Sequence, residues 1–184
     1  MQFIRTQHDL WHTRLGEDGP VSHPQPYGHA LLTLEQWHAV RDTWPAHFAT
    51  GVILPNTADV AQLADDLPRL KLIALEFPKW VDGRAYSQAR VLRTRHRYTG
   101  EVRAIGEVLV DMVPLLARCG FDAAKLRADQ NLESAQRALD FFAGHYQGDT
   151  VQPQPAFARD LGQELAHHQA RRSEEAAQFA GHGI

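Results

Sequence analysis

Cysteine is almost missing from this chain: Cys119 is the single thiol in 184 residues. One thiol makes no internal disulfide and no four-cysteine zinc or iron–sulfur site. Without a disulfide framework, a reducing, cytoplasmic setting is expected. Long apolar runs are missing too. A membrane helix needs about 20 predominantly apolar residues, and the longest candidate, Val108 to Ala117, is interrupted by Asp111. The stretch Met1 to Asp9 lacks the apolar core of a signal peptide. Positive charge is not in excess either: 19 Lys and Arg stand against 22 Asp and Glu, for a net charge of −3. General nucleic-acid binding, which relies on surplus cations at phosphates, is thereby disfavoured. There is no Gly-x-Gly-x-x-Gly after a strand, no Walker loop, no Gly-x-Ser-x-Gly elbow and no His-Glu-x-x-His. A standard nicotinamide, flavin or nucleotide site has no support, and the cofactor stays unassigned.

What is present is an ordinary globular composition, 43% hydrophobic and 22% charged, enough for a buried core in one domain of typical size. Residues 1–19 read as a strand or hairpin around the turn Gly16-Glu17-Asp18-Gly19, and 20–30, with three prolines, as a loop. Thr33 and Gln36 form a capping-box pattern for a helix carrying Leu34, Trp37, Val40 and Trp44, ended by Pro45. From Gly51 the pattern turns regular. Gly51–Pro55 is a strand, and Asn56 or Thr57 opens a helix to Leu67. Leu70 to Phe77 is a near-continuous apolar run, as a strand covered on both faces would be. A helix follows from about Gly83 to Arg97, then a strand from Glu101 to Ile105. A helix within Val108–Cys119 starts late because of Pro114 and stops at Gly120. Phe121–Arg127 is a weaker strand, and Leu132–His145 a helix with Phe142 among its inward residues.

Alternating strands and helices imply an α/β fold with a parallel sheet. Four βα units make either half of a (β/α) barrel or a small open sheet, and periodicity does not separate the two. The expected organisation is a single domain over 1–146, with its βα core at 51–146, and a linker and loosely packed or disordered tail over 147–184.

Ligands of parallel α/β folds sit at the carboxyl ends of the strands. The most loaded of these ends here is Lys79-Trp80-Val81-Asp82-Gly83-Arg84-Ala85-Tyr86-Ser87-Gln88-Ala89-Arg90. It runs into a helix N-terminus, where N–H groups and the helix dipole favour an anion. Gly83 admits close backbone approach, Lys79, Arg84 and Arg90 add charge, and Ser87 adds a hydroxyl. Tyr86, Arg90, Arg93 and Arg97 share a helical stripe, and no acid lies between Arg84 and Gly100. The opposing reading is a loop capped by Asp82 beside a solvated basic face. Arg103 sits mid-strand, so its charge needs a partner, and Glu76 and Glu107 are the expected ones. Arg103 therefore belongs either to a structural ion pair or to the anion site.

The metal readings are thin. Glu107 and Asp111 share a face only if both are helical. His8 and His12 do so only in a segment that reads as strand, and His167-His168 lies in the polar tail. No metal site is expected. Cys119, at a helix C-terminus, reads as a core residue rather than a reactive thiol.

Phe77-Pro78-Lys79-Trp80-Val81-Asp82-Gly83-Arg84-Ala85-Tyr86-Ser87-Gln88-Ala89-Arg90 resembles the signature of the bacterial domain-of-unknown-function family 934. Tyr98 to Asp111, continuing to Arg118-Cys119-Gly120-Phe121-Asp122, looks like that family's second signature, and the resemblance spans about residues 50 to 145. The family pattern has glycine at Ala85, phenylalanine at Trp80, aspartate at Glu107 and glutamine at Met112. Members are usually encoded beside assimilatory sulfite reductase and the reductase of activated sulfate, and some carry an oxidoreductase name. No established reaction comes with the resemblance. It implies an accessory role in sulfate and sulfite assimilation, with a small oxyanion or phosphorylated ligand on the Lys79–Arg90 loop. An enzymatic version would use Lys79, Arg84 and Arg103 to stabilise negative charge and Glu107 or Asp82 as the acid–base group. A non-catalytic version would dock on sulfite reductase or self-associate as a homo-oligomer.

Overall fold

The computed structural model describes residues 1–13, 15–16, 19–141, 145–158, 160, 162 and 166. The chain divides into two compact units, Met1–Leu139 and Asp140–Ile184. The first holds a six-stranded, all-parallel sheet. Its strands are β1 (Gln2–Phe3), β4 (Ala30–Thr33), β5 (Thr50–Leu54), β6 (Leu70–Phe77), β7 (Glu101–Gly106) and β8 (Ala123–Ala124). They lie in the order β1-β8-β7-β6-β5-β4, while β2 (Leu15–Gly16) and β3 (Gly19–Pro20) form a separate antiparallel pair. From β4 the chain steps one strand at a time to β8, always in the same direction. The sheet stays open, so of the two architectures the alternation allowed, the open sheet is the one formed.

The helices are α1 (Leu34–Val40), α2 (Arg84–Thr94), α3 (Val113–Cys119) and α4 (Leu132–Asp140). The capping box forms as its spacing dictates: Gln36 N–H donates to Thr33 Oγ1 at 3.1 Å, and Thr33 N–H donates to Gln36 Oε1 at 2.9 Å. Trp37, Val40, Ala85, Ala89, Leu92 and Leu116 share one buried cluster with Leu32, Val52, Leu54, Ile73, Leu75, Phe77, Val102 and Ala104. Helices α1, α2 and α3 therefore cover the same sheet face, as steps of one hand in one direction require. Alternate residues point to the other face, where Leu31, Leu72 and Ala74 pack with Trp11, Ile53 and Ile105.

That second face explains the unbroken apolar run of β6. Its cover comes from the segment between β1 and β4. Trp11 stacks edge-on against His29 at 5.4 Å, and His12 bridges to Ala30 at the far edge of the sheet. The segment thus runs from one sheet edge to the other.

Several expectations change in detail. The helix expected from Asn56 or Thr57 to Leu67 is a short 3-10 turn, Val60–Leu63, capped by Asp59, whose Oδ1 accepts Ala61 N–H at 2.9 Å. Asp66, inside that stretch, is buried and accepts from Trp37 Nε1 at 2.9 Å and Arg41 at 3.3 Å. These side-chain bonds tie the turn to α1 in place of a continued helical ladder. The loop expected over 20–30 ends at Ala30, which opens β4. The strand expected over Phe121–Arg127 shrinks to two residues, and α1 stops before Trp44, which instead bonds Thr50 Oγ1 at 2.8 Å. Pro114 does delay α3, and Gly120 ends it with φ 95°. Buried Met112 accepts Leu109 N–H on Sδ at 3.3 Å.

In the second unit, Ala156–Ala158 form a 3-10 turn and Tyr146 lies 6.0 Å from Phe157, ring to ring. Phe142 and the His167–Glu175 stretch of the tail lie outside the described residues.

Candidate functional site

The loop after β6 leaves the carboxyl edge of the sheet and opens α2. Asp82 N–H donates to Lys79 O at 3.0 Å, turning the chain. The Asp82 carboxylate then folds back onto Arg84. It accepts the Arg84 backbone N–H at 3.3 Å, Nε at 3.0 Å and a terminal guanidinium nitrogen at 2.6 Å. The guanidinium grips both oxygens, which holds the Asp82 carboxyl well below the usual carboxylate range and raises Arg84. The fork expected to meet a ligand thus meets a carboxylate of its own chain, an acid two residues before it rather than within the helix.

The other loop residues differ. Lys79, Ser87 and Arg90 are exposed, and among the described residues their side chains have no ion-pair or hydrogen-bond partner. Trp80 and Val81 are 56% and 65% exposed. Gly83 has φ −83°, a conformation open to any residue, so the turn does not depend on it. Beneath the loop, Gln88 is buried and donates to Pro55 O at 2.9 Å and Ala58 O at 2.8 Å. Gln88 Oε1 and Asn56 Nδ2 are buried without a hydrogen-bond partner, and the Asn56 side chain lies beside the Asp82 carboxylate without completing a bond. Unpaired buried polar atoms are uncommon enough to mark a place.

The basic stripe expected on α2 does not form. Arg93 turns inward, with Nε donating to Gly120 O at 2.9 Å, NH1 to Gly100 O at 2.9 Å, and NH2 pairing with Asp122. It locks the end of α2 to the loops around β7. Arg97 lies past the helix with φ 51°.

Arg103 is corrected as well. It is 3% exposed and takes neither Glu76 nor Glu107. Its NH1 bonds both Asp9 oxygens at 2.8 and 2.9 Å, and its Nε bonds Glu101 at 2.7 Å. Arg103 is therefore removed from the loop and belongs to the covering segment. Asp9 carried no sequence signal, since nothing local links residue 9 to residue 103.

Glu107 instead pairs with Arg127 at 2.7 Å, and Arg127 also bonds Asp129 at 2.7 Å. The pairing lowers Asp129 to about 2. Glu107 lies outside any helix, so it does not share a helical face with Asp111. Among the described residues no three His, Cys, Asp or Glu side chains converge to hold a metal. Cys119 is half-buried at the end of α3. It lies near Tyr86, whose phenol burial pushes up to about 12. Among the described residues no helix is long and apolar enough to cross a membrane.

An open, singly wound parallel α/β protein with cations along its carboxyl edge is the class these features define. The family model described as a bacterial protein of unknown function, DUF934, matches residues 51–157, more than half of the chain, and the chain belongs to that family. The match begins within β5 and takes in both signature stretches. No curated protein matches the chain.

Proposed function

We propose that this protein is an oxyanion-binding accessory factor of sulfate and sulfite assimilation, with the ligand at the Lys79–Arg90 loop. The observation that supports this most is the self-bound state of Arg84. Its guanidinium is already posed on a carboxylate at a helix N-terminus, the geometry a sulfate or phosphate oxygen pair would take. In this reading Asp82 stands in for the ligand and leaves when the ligand arrives. Lys79, Ser87 and Arg90 then close on the anion, and Trp80 offers a flat face to a nucleobase, which suits an adenylyl sulfate better than bare sulfate. Catalysis by Glu107 finds no support in its pairing with Arg127. Lys79 is the group left to act on a bound anion.

The test is calorimetry on the full chain with sulfate, sulfite and adenosine 5′-phosphosulfate. Arg84→Ala should weaken binding about tenfold or more, the loss of a charge-assisted hydrogen bond. Asp82→Asn should strengthen it by releasing Arg84. An Asp82→Asn variant that binds no better, with Arg84→Ala unchanged, refutes the proposal.

The exposed pair Trp80 and Val81 favours a second reading, in which the loop docks on sulfite reductase, since Trp and Arg anchor protein interfaces. Co-purification with sulfite reductase that is lost on Trp80→Ala, with no anion effect, would select it.

A further inference from the structure

A cleft of about 230 Å3 opens at another point on the same edge of the sheet, where β1 and β8 end side by side. Arg5 comes from the end of β1, Lys125 and Arg127 from the end of β8, and Phe3, Ile4 and Leu132 supply an apolar lining. Residues 120 positions apart in sequence are brought together only by the parallel pairing Gln2 with Ala123 and Phe3 with Ala124, so the cluster is a product of the fold. Two carboxylates are nearby, Glu107 and Asp129, and both are taken by Arg127. Among the described residues Arg5 and Lys125 meet no carboxylate. The backbone is committed elsewhere: Lys125 N–H donates to Ala104 O and Arg127 N–H to Val108 O, both at 2.9 Å. The cleft thus gathers three cationic residues beside Phe3, Ile4 and Leu132 in one lining of mixed polar and apolar surface.

We infer that this cleft is a second binding site, for a small organic anion with one oxyanion head and a short apolar body. Arg5 and Lys125 hold the head, Arg127 adds field, and Phe3, Ile4 and Leu132 take the body. The size argues for a small metabolite, since pockets for drug-sized ligands span roughly 300–1,000 Å3. Charge alone would suit bare phosphate or sulfate equally. The apolar lining is what selects an organic anion, because burying its body adds about 25 cal/mol per Å2 of apolar surface. The site does not depend on the Lys79–Arg90 loop, and Arg5 lies outside the family-matched residues.

The experiment is an amide-resolved NMR titration of the full chain with phenyl phosphate, inorganic phosphate and benzyl alcohol. Phenyl phosphate should perturb the amides of residues 3–5 and 125–132 and bind more tightly than either fragment. Arg5→Ala and Lys125→Ala should each weaken the binding read from those amides about tenfold. Inorganic phosphate binding as tightly as phenyl phosphate would remove the role of the apolar lining and overturn the inference. So would perturbation of residues 79–90 in place of the cleft, or an unchanged affinity in the Arg5→Ala/Lys125→Ala double variant. The wild-type titration alone decides the location, whatever a variant does to folding.

Discussion

Removing Asp9 should destabilise this protein more than its position near the chain start suggests. Arg103 is 3% exposed in the middle of β7, and the side chain of Asp9 is only 12% exposed. Breaking a buried ion pair by deleting one partner costs about 3–5 kcal/mol, because the remaining charge is left uncompensated. Here Glu101 keeps its bond to Arg103 Nε at 2.7 Å, so the charge is not wholly abandoned. Asp9→Ala should therefore cost about 2–3 kcal/mol, a large part of a typical folding stability of about 5–15 kcal/mol. In urea, with a slope of about 1–3 kcal/mol per M, the midpoint should fall by about 0.7 M or more. The assay is equilibrium urea unfolding followed by tryptophan fluorescence, which Trp11 on the same segment should report. Replacing both charges, Asp9→Leu with Arg103→Met, should recover most of the loss, since an apolar pair needs no compensation and Glu101, its side chain 27% exposed, is left to water. A midpoint for Asp9→Ala equal to wild type, or a double variant no better than the single one, would refute the claim that this pair holds the segment down.

Gly106 has φ 93°, and a Cβ there would come within 2.4 Å of the Phe77 carbonyl oxygen. Gly106→Ala should lower stability by about 2 kcal/mol or more, read from the same urea curves, through strain and the close contact. Asp129 should titrate at about 2 in carboxyl-resolved NMR and return toward about 3.9 in Arg127→Ala. A carboxyl lowered in the folded state contributes stability that is complete above the unfolded value. Acid unfolding should therefore draw on Asp129 only as pH falls from about 4 towards 2.

The regular part of the fold was legible because its signals are local. The capping box Thr33–Gln36, the apolar run Leu70–Phe77 and the glycine stop at Gly120 each depend on neighbours within a few residues. What was not legible depends on contacts across the chain. The turn at Val60–Leu63 is shaped by Trp37 and Arg41 reaching Asp66, and the two-residue β8 is held between β7 and the distant Gln2–Phe3 strand. The candidate loop divides along the same line. Its place at the end of β6 and the start of α2 follows from periodicity, but residue type cannot say whether an arginine's fork is open. Arg84 is closed by Asp82, Arg93 by Asp122 and backbone carbonyls, and Arg90 has no partner among the described residues.

Arg103 carried more topological information than a pairing rule extracts from it. A strand whose neighbours are apolar on both faces places an arginine where water is scarce, so something outside the strand must supply an acid. Glu76 at the end of the neighbouring strand and Glu107 just past the end of β7 were the expected source, because nothing local to β7 points to residue 9. The structure covers the second face of the sheet with the segment joining β1 to β4, and Asp9 on that segment meets Arg103. The same cover bears on the open sheet. Steps in one direction put α1 to α3 on one face, the arrangement that in a barrel leaves the inner face to be filled by side chains. Here chain fills it instead, and β1 takes the free edge of β8. A charge in mid-strand is in this case the residue-level trace of a chain segment lying on the sheet.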